Sequence, residues 1–201
     1  VNGLKFGPDG TLWAFDQHVH AVLNIDPKTG EETLVDGLVS RSLSNINFMK
    51  DGSRLFGEHL NSAENLPGTH AKAINDSGAI GEGKVFKYDP AGKLVGEYKP
   101  EVHGGMARFL GVTSALLLPD DRTLLYLTET SNEVRRYDVV DDKQLSPLAT
   151  YPEGREGFVF FLATMPDGRL MLTRGGHIEF LNPETGAIEK EVPQEGFGWA
   201  V

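Results

Sequence analysis

The chain has 201 residues, 39% hydrophobic and 24% charged, a balance that excludes a disordered or fibrous protein and allows a sizeable core. Its formal net charge of −10 repels polyanions, so nucleic acid and anionic membrane surfaces are not expected partners. Without cysteine it has no disulfide, thiolate metal site or cysteine nucleophile, and no apolar run approaches the roughly 20 residues that cross a bilayer. The expectation is a soluble protein with no membrane insertion, its compartment left open between the cytosol and a periplasmic or secreted location after signal removal.

The first elements set the pattern. Gly3 to Phe6 and Leu12 to Asp16 are apolar, strand-like runs around the turn Gly7-Pro8-Asp9-Gly10. Ala21 to Ile25 and Glu32 to Val35 follow around Asp26-Pro27-Lys28-Thr29-Gly30. Proline presets φ and glycine accepts positive φ, which is hairpin chemistry. The first turn recurs at Met49-Lys50-Asp51-Gly52, Leu118-Pro119-Asp120-Asp121 and Met165-Pro166-Asp167-Gly168. The second recurs at Asp89-Pro90-Ala91-Gly92, Asp138 to Asp142 and Asn182-Pro183-Glu184-Thr185-Gly186.

Four short antiparallel strands per roughly 40 to 50 residues is the period of a propeller blade. The spacing therefore predicts an all-β β-propeller with four recognisable four-stranded blades at about 1–40, 41–106, 107–154 and 155–194. In the last blade the strands are expected at Phe161 to Met165, Arg169 to Arg174, His177 to Leu181 and Ala187 to Val192. Residues 60–82 form an insertion rich in Asn, Gly, Ala and Ser, long enough to read as a lid over a site or as decoration. The tail Gly196 to Val201 reads as the opening strand of a fifth blade, so the single propeller domain is expected to be incomplete, its ring finished by a missing segment or a partner chain.

Val1-Asn2-Gly3-Leu4-Lys5-Phe6-Gly7-Pro8-Asp9-Gly10-Thr11-Leu12-Trp13 resembles the blade start of the gluconolactonase/senescence-marker-protein family. Leu124 to Asp138, with Thr128-Glu129-Thr130-Ser131-Asn132-Glu133-Val134-Arg135-Arg136-Tyr137, is similar to a run of the strictosidine-synthase-like proteins. The resemblance implies blades of the NHL type, a six-bladed ring, and a divalent metal, calcium or similar, in the central channel. Asn2 matches a metal-ligand position of the gluconolactonase family. Counting back from the later turns puts Ser44, Thr113 and Phe160 at the equivalent places, with Asn45 one residue off register. A hard cation prefers carboxylate oxygens, and these positions offer none. Asn2, Ser44 and Thr113 are the candidate metal ligands.

In a propeller the loops after the second strands and between blades share one face around the channel. By this sorting His59, Glu58, His177, Glu129 and Arg174 are candidate catalytic residues. His18, Asp16, His70, His103 and Asn45 are candidate substrate-binding residues. All six histidines of the chain fall on that face, and histidine is both the neutral-pH acid or base and a common metal ligand. No phosphate-binding glycine loop and no G-x-S-x-G elbow is present. The expected function is a metal-dependent hydrolase of lactonase or esterase type acting on a small polar substrate at the channel mouth. The alternatives are a non-catalytic scaffold binding a peptide, glycan or protein on its top face, and a streptogramin-lyase-like enzyme.

Overall fold

The computed structural model describes residues 3–16, 21–40, 42–61, 83–101, 109–128 and 131–194. The chain divides into two compact units. The first is Val1–Lys99 with Leu110–Val112, and the second is Pro100–Phe109 with Thr113–Val201.

The first unit holds two antiparallel sheets. One is β1 (Gly3–Phe6), β2 (Leu12–Asp16), β3 (Ala21–Ile25) and β4 (Glu32–Leu34), in that order. The other is β5 (Leu43–Phe48), β6 (Arg54–Asn61), β7 (Val85–Tyr88) and β8 (Leu94–Tyr98), also in chain order. The short β9 (Phe109–Gly111) pairs with β6, so residues that the spacing assigns to the third blade add to the second sheet. The second unit repeats the plan with β10 (Ser114–Leu117), β11 (Thr123–Leu127), β12 (Glu133–Asp138) and β13 (Lys143–Thr150), then β14 (Val159–Thr164), β15 (Leu170–Arg174), β16 (His177–Leu181) and β17 (Ile188–Pro193). Among the described residues helix is confined to a 3₁₀ turn at Arg155–Gly157.

The turns explain why these segments pair. In the first, the Gly10 N–H donates to Gly7 O at 3.0 Å and the Thr11 N–H donates to Asp9 Oδ1 at 3.0 Å. The same bonds recur from Gly52 to Met49 and Ser53 to Asp51, from Asp121 to Leu118 and Arg122 to Asp120, and from Gly168 to Met165 and Arg169 to Asp167. The residue closing each turn is left-handed. It is glycine in three copies, but in the third it is Asp121 at φ 60°, a short polar side chain that tolerates this region.

Each unit buries its core between its two sheets. Trp13, Phe15, Val22, Leu43, Ile46, Phe56, Phe86 and Tyr88 fill the first. Leu125, Leu127, Val134, Val159, Leu162, Leu170, Leu172 and Leu181 fill the second. Leu4 and Ile46 each stand five residues ahead of the turn aspartate, yet Leu4 is 63% exposed and Ile46 is 0% exposed. The face of the second sheet bearing Ile46 packs on the first sheet, whereas among the described residues nothing comparable covers Leu4. Among the described residues no helix is long and apolar enough to cross a membrane.

Candidate functional site

Among the described residues, side chains expected at a site from the sequence gather in two polar clusters, one in each unit. In the first, the edge strands β1 and β5 run so close that a methyl at Gly3 would collide with the Ser44 carbonyl. Position 3 must therefore be glycine. The β5–β6 register shifts between Leu43 and Asn45, a bulge at Ser44 of the kind that re-aims side chains. The Ser44 hydroxyl donates to Val112 O at 2.7 Å and lies 3.3 Å from Gly57 O. The Asn45 amide donates to Ser44 Oγ at 2.9 Å and to Val112 O at 3.1 Å. Its carbonyl oxygen, Asn45 Oδ1, is buried without a hydrogen-bond partner. Asn47, two residues on, accepts at 2.8 Å from the Lys5 ammonium, and burial lowers Lys5 to about 8.

Glu58, on β6, is buried. Its Oε1 accepts from the Ser40 hydroxyl, and its Oε2 accepts from the backbone N–H of Gly83 at 2.8 Å and of Lys84 at 3.1 Å. His59, the next residue, is half-buried and donates its backbone N–H to Ser42 O at 2.9 Å. Asp16 stands half-buried at the end of β2, opposite Ala21.

The second cluster belongs to the last sheet. Arg174 closes β15 opposite His177, which opens β16, across the pair Gly175-Gly176. Gly175 takes φ +50°, and a side chain there would strike the Glu156 backbone. Arg174 donates from Nε at 2.7 Å and from Nη2 to Glu179 Oε1, and from Nη1 at 2.6 Å to Glu156 O. Its guanidinium lies 4.8 Å from the centroid of the Tyr151 ring. Glu191 on β17 completes the group, with Oε1 3.1 Å from His177 Nδ1 and Oε2 3.5 Å from Arg174 Nη2. Glu179 is 0% exposed, a fully buried carboxylate held by one guanidinium. Burial and then the Glu179 carboxylate push the Tyr151 hydroxyl above its ordinary range.

Of the residues expected from sequence, Arg174 and His177 are thus brought together. Glu58 is enclosed by hydroxyl and backbone donors. Asn45 and Ser44 are tied to Val112. Asn2, His18, His70, His103 and Glu129 lie outside the described residues. Glu179, Tyr151 and Glu191 were not singled out in the sequence. The signal for Glu179 was available, because in an extended strand it shares a face with Leu181, so a carboxylate there stands on the core side.

For a metal, the candidate set fits poorly. Ser44 spends its hydroxyl on a carbonyl, Thr113 donates both N–H and Oγ1 to Leu127 O, and Phe160 offers a ring. Among the described residues no three His, Asp or Glu side chains form a group that would hold an ion.

No family model matches the chain. A gluconolactonase from Zymomonas mobilis is 28% identical over 175 residues, which cover 83% of this chain and 45% of that protein. The chain therefore spans just under half of that relative's length. Among solved structures, a gluconolactonase from Xanthomonas campestris superposes with a TM-score of 0.65 at 14% identity, over 98% of this chain and 63% of that one. A virginiamycin B lyase from Staphylococcus aureus, solved with quinupristin, gives 0.60 at 15% identity, over 96% of this chain and 55% of that one. At these identities the solved structures speak for the fold. The chain thus has the β-propeller type of fold of these structures, and its sequence is similar to that of a gluconolactonase.

Proposed function

We propose that this protein is a lactonase-type hydrolase that opens a small polar lactone or ester, with His177 as the general base. The observation that carries this reading is the contact of His177 Nδ1 with Glu191 Oε1 at 3.1 Å, beside Arg174. A base oriented by a carboxylate is the arrangement that activates water or a hydroxyl nucleophile. His177 Nδ1 is buried and makes no aligned hydrogen bond at this distance; in the reacting arrangement the ring turns its Nδ1–H onto Glu191, and Nε2 accepts a proton from water. The water oxygen then bonds to the lactone carbonyl carbon, the ring C–O bond breaks, and the proton passes to the departing alkoxide. Arg174 acts by position, since it holds Glu191 from one side while its other donors engage Glu179 and Glu156 O.

The gluconolactonase relative supports the reaction class. A divalent ion of the calcium type, as the resemblance implies, would need oxygen ligands that Ser44, Thr113 and Phe160 do not supply, and no step runs through it. Those same positions favour the second reading, a non-catalytic scaffold. The two separate on His177→Ala assayed with δ-gluconolactone and a panel of small lactones and esters. Losing a general base typically lowers the rate about 10²- to 10⁴-fold, whereas a half-exposed side chain changes stability by about 0.5 kcal/mol or less. Turnover unchanged by the substitution, with melting also unchanged, would remove His177 from the reaction. A wild type that opens nothing in the panel would leave the scaffold reading standing.

A further inference from the structure

We infer that Asp36-Gly37, in the link between β4 and β5, is a site of spontaneous aspartate isomerisation, and that the chain's three other Asp-Gly pairs are protected from it by the turns they close.

The four pairs are Asp9-Gly10, Asp36-Gly37, Asp51-Gly52 and Asp167-Gly168. Glycine after aspartate leaves the backbone nitrogen without a side chain to shield it. The Gly37 nitrogen bonds to Asp36 Cγ, and the carboxyl hydroxyl leaves with the amide proton as water, closing a five-membered imide. Water then opens the imide at either carbonyl. One opening returns aspartate. The other leaves isoaspartate, in which the backbone runs through Cβ and Cγ and the α-carboxylate becomes the side group. One water leaves and one enters, so no co-reactant is needed.

Three of the pairs are held against this reaction at both reacting groups. Their glycine N–H groups donate to Gly7 O at 3.0 Å, Met49 O at 3.0 Å and Met165 O at 2.9 Å. Their carboxylates accept from the backbone N–H groups of Thr11, Ser53 and Arg169 at 3.0, 2.8 and 3.1 Å. The backbone bonds at Asp9 and Asp51, and the Arg169 side chain ahead of its backbone at Asp167, also keep these carboxyls below their ordinary range. That depletes the protonated acid whose hydroxyl departs. Asp36-Gly37 lacks both restraints. Among the described residues nothing bonds to the Asp36 carboxylate or to the Gly37 N–H, and both residues are exposed. No atom lies within 4 Å of where a Cβ on Gly37 would stand, so the ring has room to close.

The position gives the reaction a consequence. Before the pair, the Val35 N–H donates to Val22 O at 2.9 Å; after it, the Val39 N–H donates to the Tyr88 hydroxyl at 2.8 Å, and the Ser40 hydroxyl donates to Glu58. Isoaspartate adds one backbone carbon between these anchors, and the Val39 bond to the second sheet is the one it slackens.

The test ages the native protein at neutral pH beside the same protein unfolded in guanidinium chloride. Trypsin releases Asp36 in residues 29–41 and Asp167 in residues 156–169, each the lone aspartate of its peptide. The isoaspartyl form elutes apart at unchanged mass, and electron-transfer fragmentation identifies it. Asn2-Gly3, which reaches the same imide by losing ammonia, falls in a separate peptide, residues 1–5. In the native protein isoaspartate should collect at Asp36 about 30-fold faster than at Asp167, the factor for opening two hydrogen bonds of ordinary net strength. Unfolding should leave the Asp36 rate nearly unchanged and bring Asp167 up to it. Asp36→Glu should melt as the wild type does and stop the reaction in residues 29–41, because its ring would need a sixth member. In aged ¹⁵N-labelled protein a second Val39 amide signal should appear and exchange with deuterium faster than the first. Equal native rates at Asp36 and Asp167, or an Asp36 rate that rises on unfolding as much as that of Asp167, would overturn the assignment. Matching Val39 exchange in the two forms would overturn the effect on the link.

Discussion

A carboxylate is buried beside each of the two polar clusters, Glu58 in the first unit and Glu179 in the second, and the two are satisfied in opposite ways. Glu58 in the first unit accepts from the Ser40 hydroxyl and from the N–H groups of Gly83 and Lys84, all neutral donors. Glu179 in the second is held through Oε1 by the Arg174 guanidinium, and Glu191 Oε2 approaches the Nη2 of the same guanidinium at 3.5 Å. Neutral donors spread a carboxylate's charge over the backbone and lock a chain segment in place, here the point where β7 is about to begin. A guanidinium instead ties the carboxylate to a second ionised group, so the pair stands or falls together. Glu58 therefore reads as part of the scaffold, and the Glu179 group as the support of the proposed reacting histidine.

Removing one ion of a buried pair leaves the other uncompensated, and this should give the largest effect. Arg174→Ala is expected to cost about 4 kcal/mol in urea unfolding, within the range for broken buried pairs. Replacing both partners, as Arg174→Met with Glu179→Leu, should recover most of that loss, because apolar substitutes of similar volume restore a packed interior. Recovery of stability without recovery of lactone turnover would separate the structural role of Arg174 from its role beside His177. A double variant no more stable than Arg174→Ala would mean that the two charges are not coupled.

Glu58 should respond more mildly. Glu58→Ala strands the Gly83 and Lys84 N–H groups, and unmet buried donors cost about 1 to 3 kcal/mol each; solvent entering the gap should hold the total to roughly 3 kcal/mol. Glu58→Gln keeps one carbonyl acceptor and should lose about half as much. Among the described residues the donors to Glu58 are uncharged, so added salt should leave the Glu58 variants unchanged while shifting Arg174→Ala. Salt dependence of the Glu58 loss would erase the distinction between the two sites.

How far the sequence carries to this point differs between fold and site. The strands Gly3–Phe6, Leu12–Asp16, Ala21–Ile25 and His177–Leu181 form where the turn spacing puts them, because an aspartate beside a left-handed glycine is a local device that needs no distant partner. The last sheet opens at Val159 rather than Phe161, since the register shift between Val159 and Phe161 adds two residues ahead of the regular ladder. The site is less legible. Arg174 and His177 stood out by their place after a second strand, but Glu179 and Tyr151 meet only through packing of the third sheet on the fourth. In sequence Glu179 alternates with Ile178 and Phe180 and so reads as solvent-facing, with Leu181 on its own face the contrary sign that the burial of Leu172 and Leu181 decides.

The smallest expected effect carries the contrast down to the exposed turns. Asp9 and Asp51 in the first unit lie below the usual carboxylate range chiefly because the backbone N–H groups of Thr11 and Ser53 donate to them. Asp167 in the second is lowered first by the side chain of Arg169, in an exposed bidentate contact. For each group the folded form titrates below the unfolded one, so its contribution is complete above the unfolded value near 3.8. It is lost as pH falls through the lower folded value. Salt distinguishes the causes, because at 1 M ionic strength the screening length shrinks to about 3 Å, while a local backbone hydrogen bond does not depend on it. Carboxyl ¹³C titrations in low salt and in 1 M sodium chloride should show Asp167 moving up toward its ordinary value while Asp9 and Asp51 stay depressed. Equal movement of all three would show that the turns of both units are held by charge, and that the difference between the units stops at their buried carboxylates.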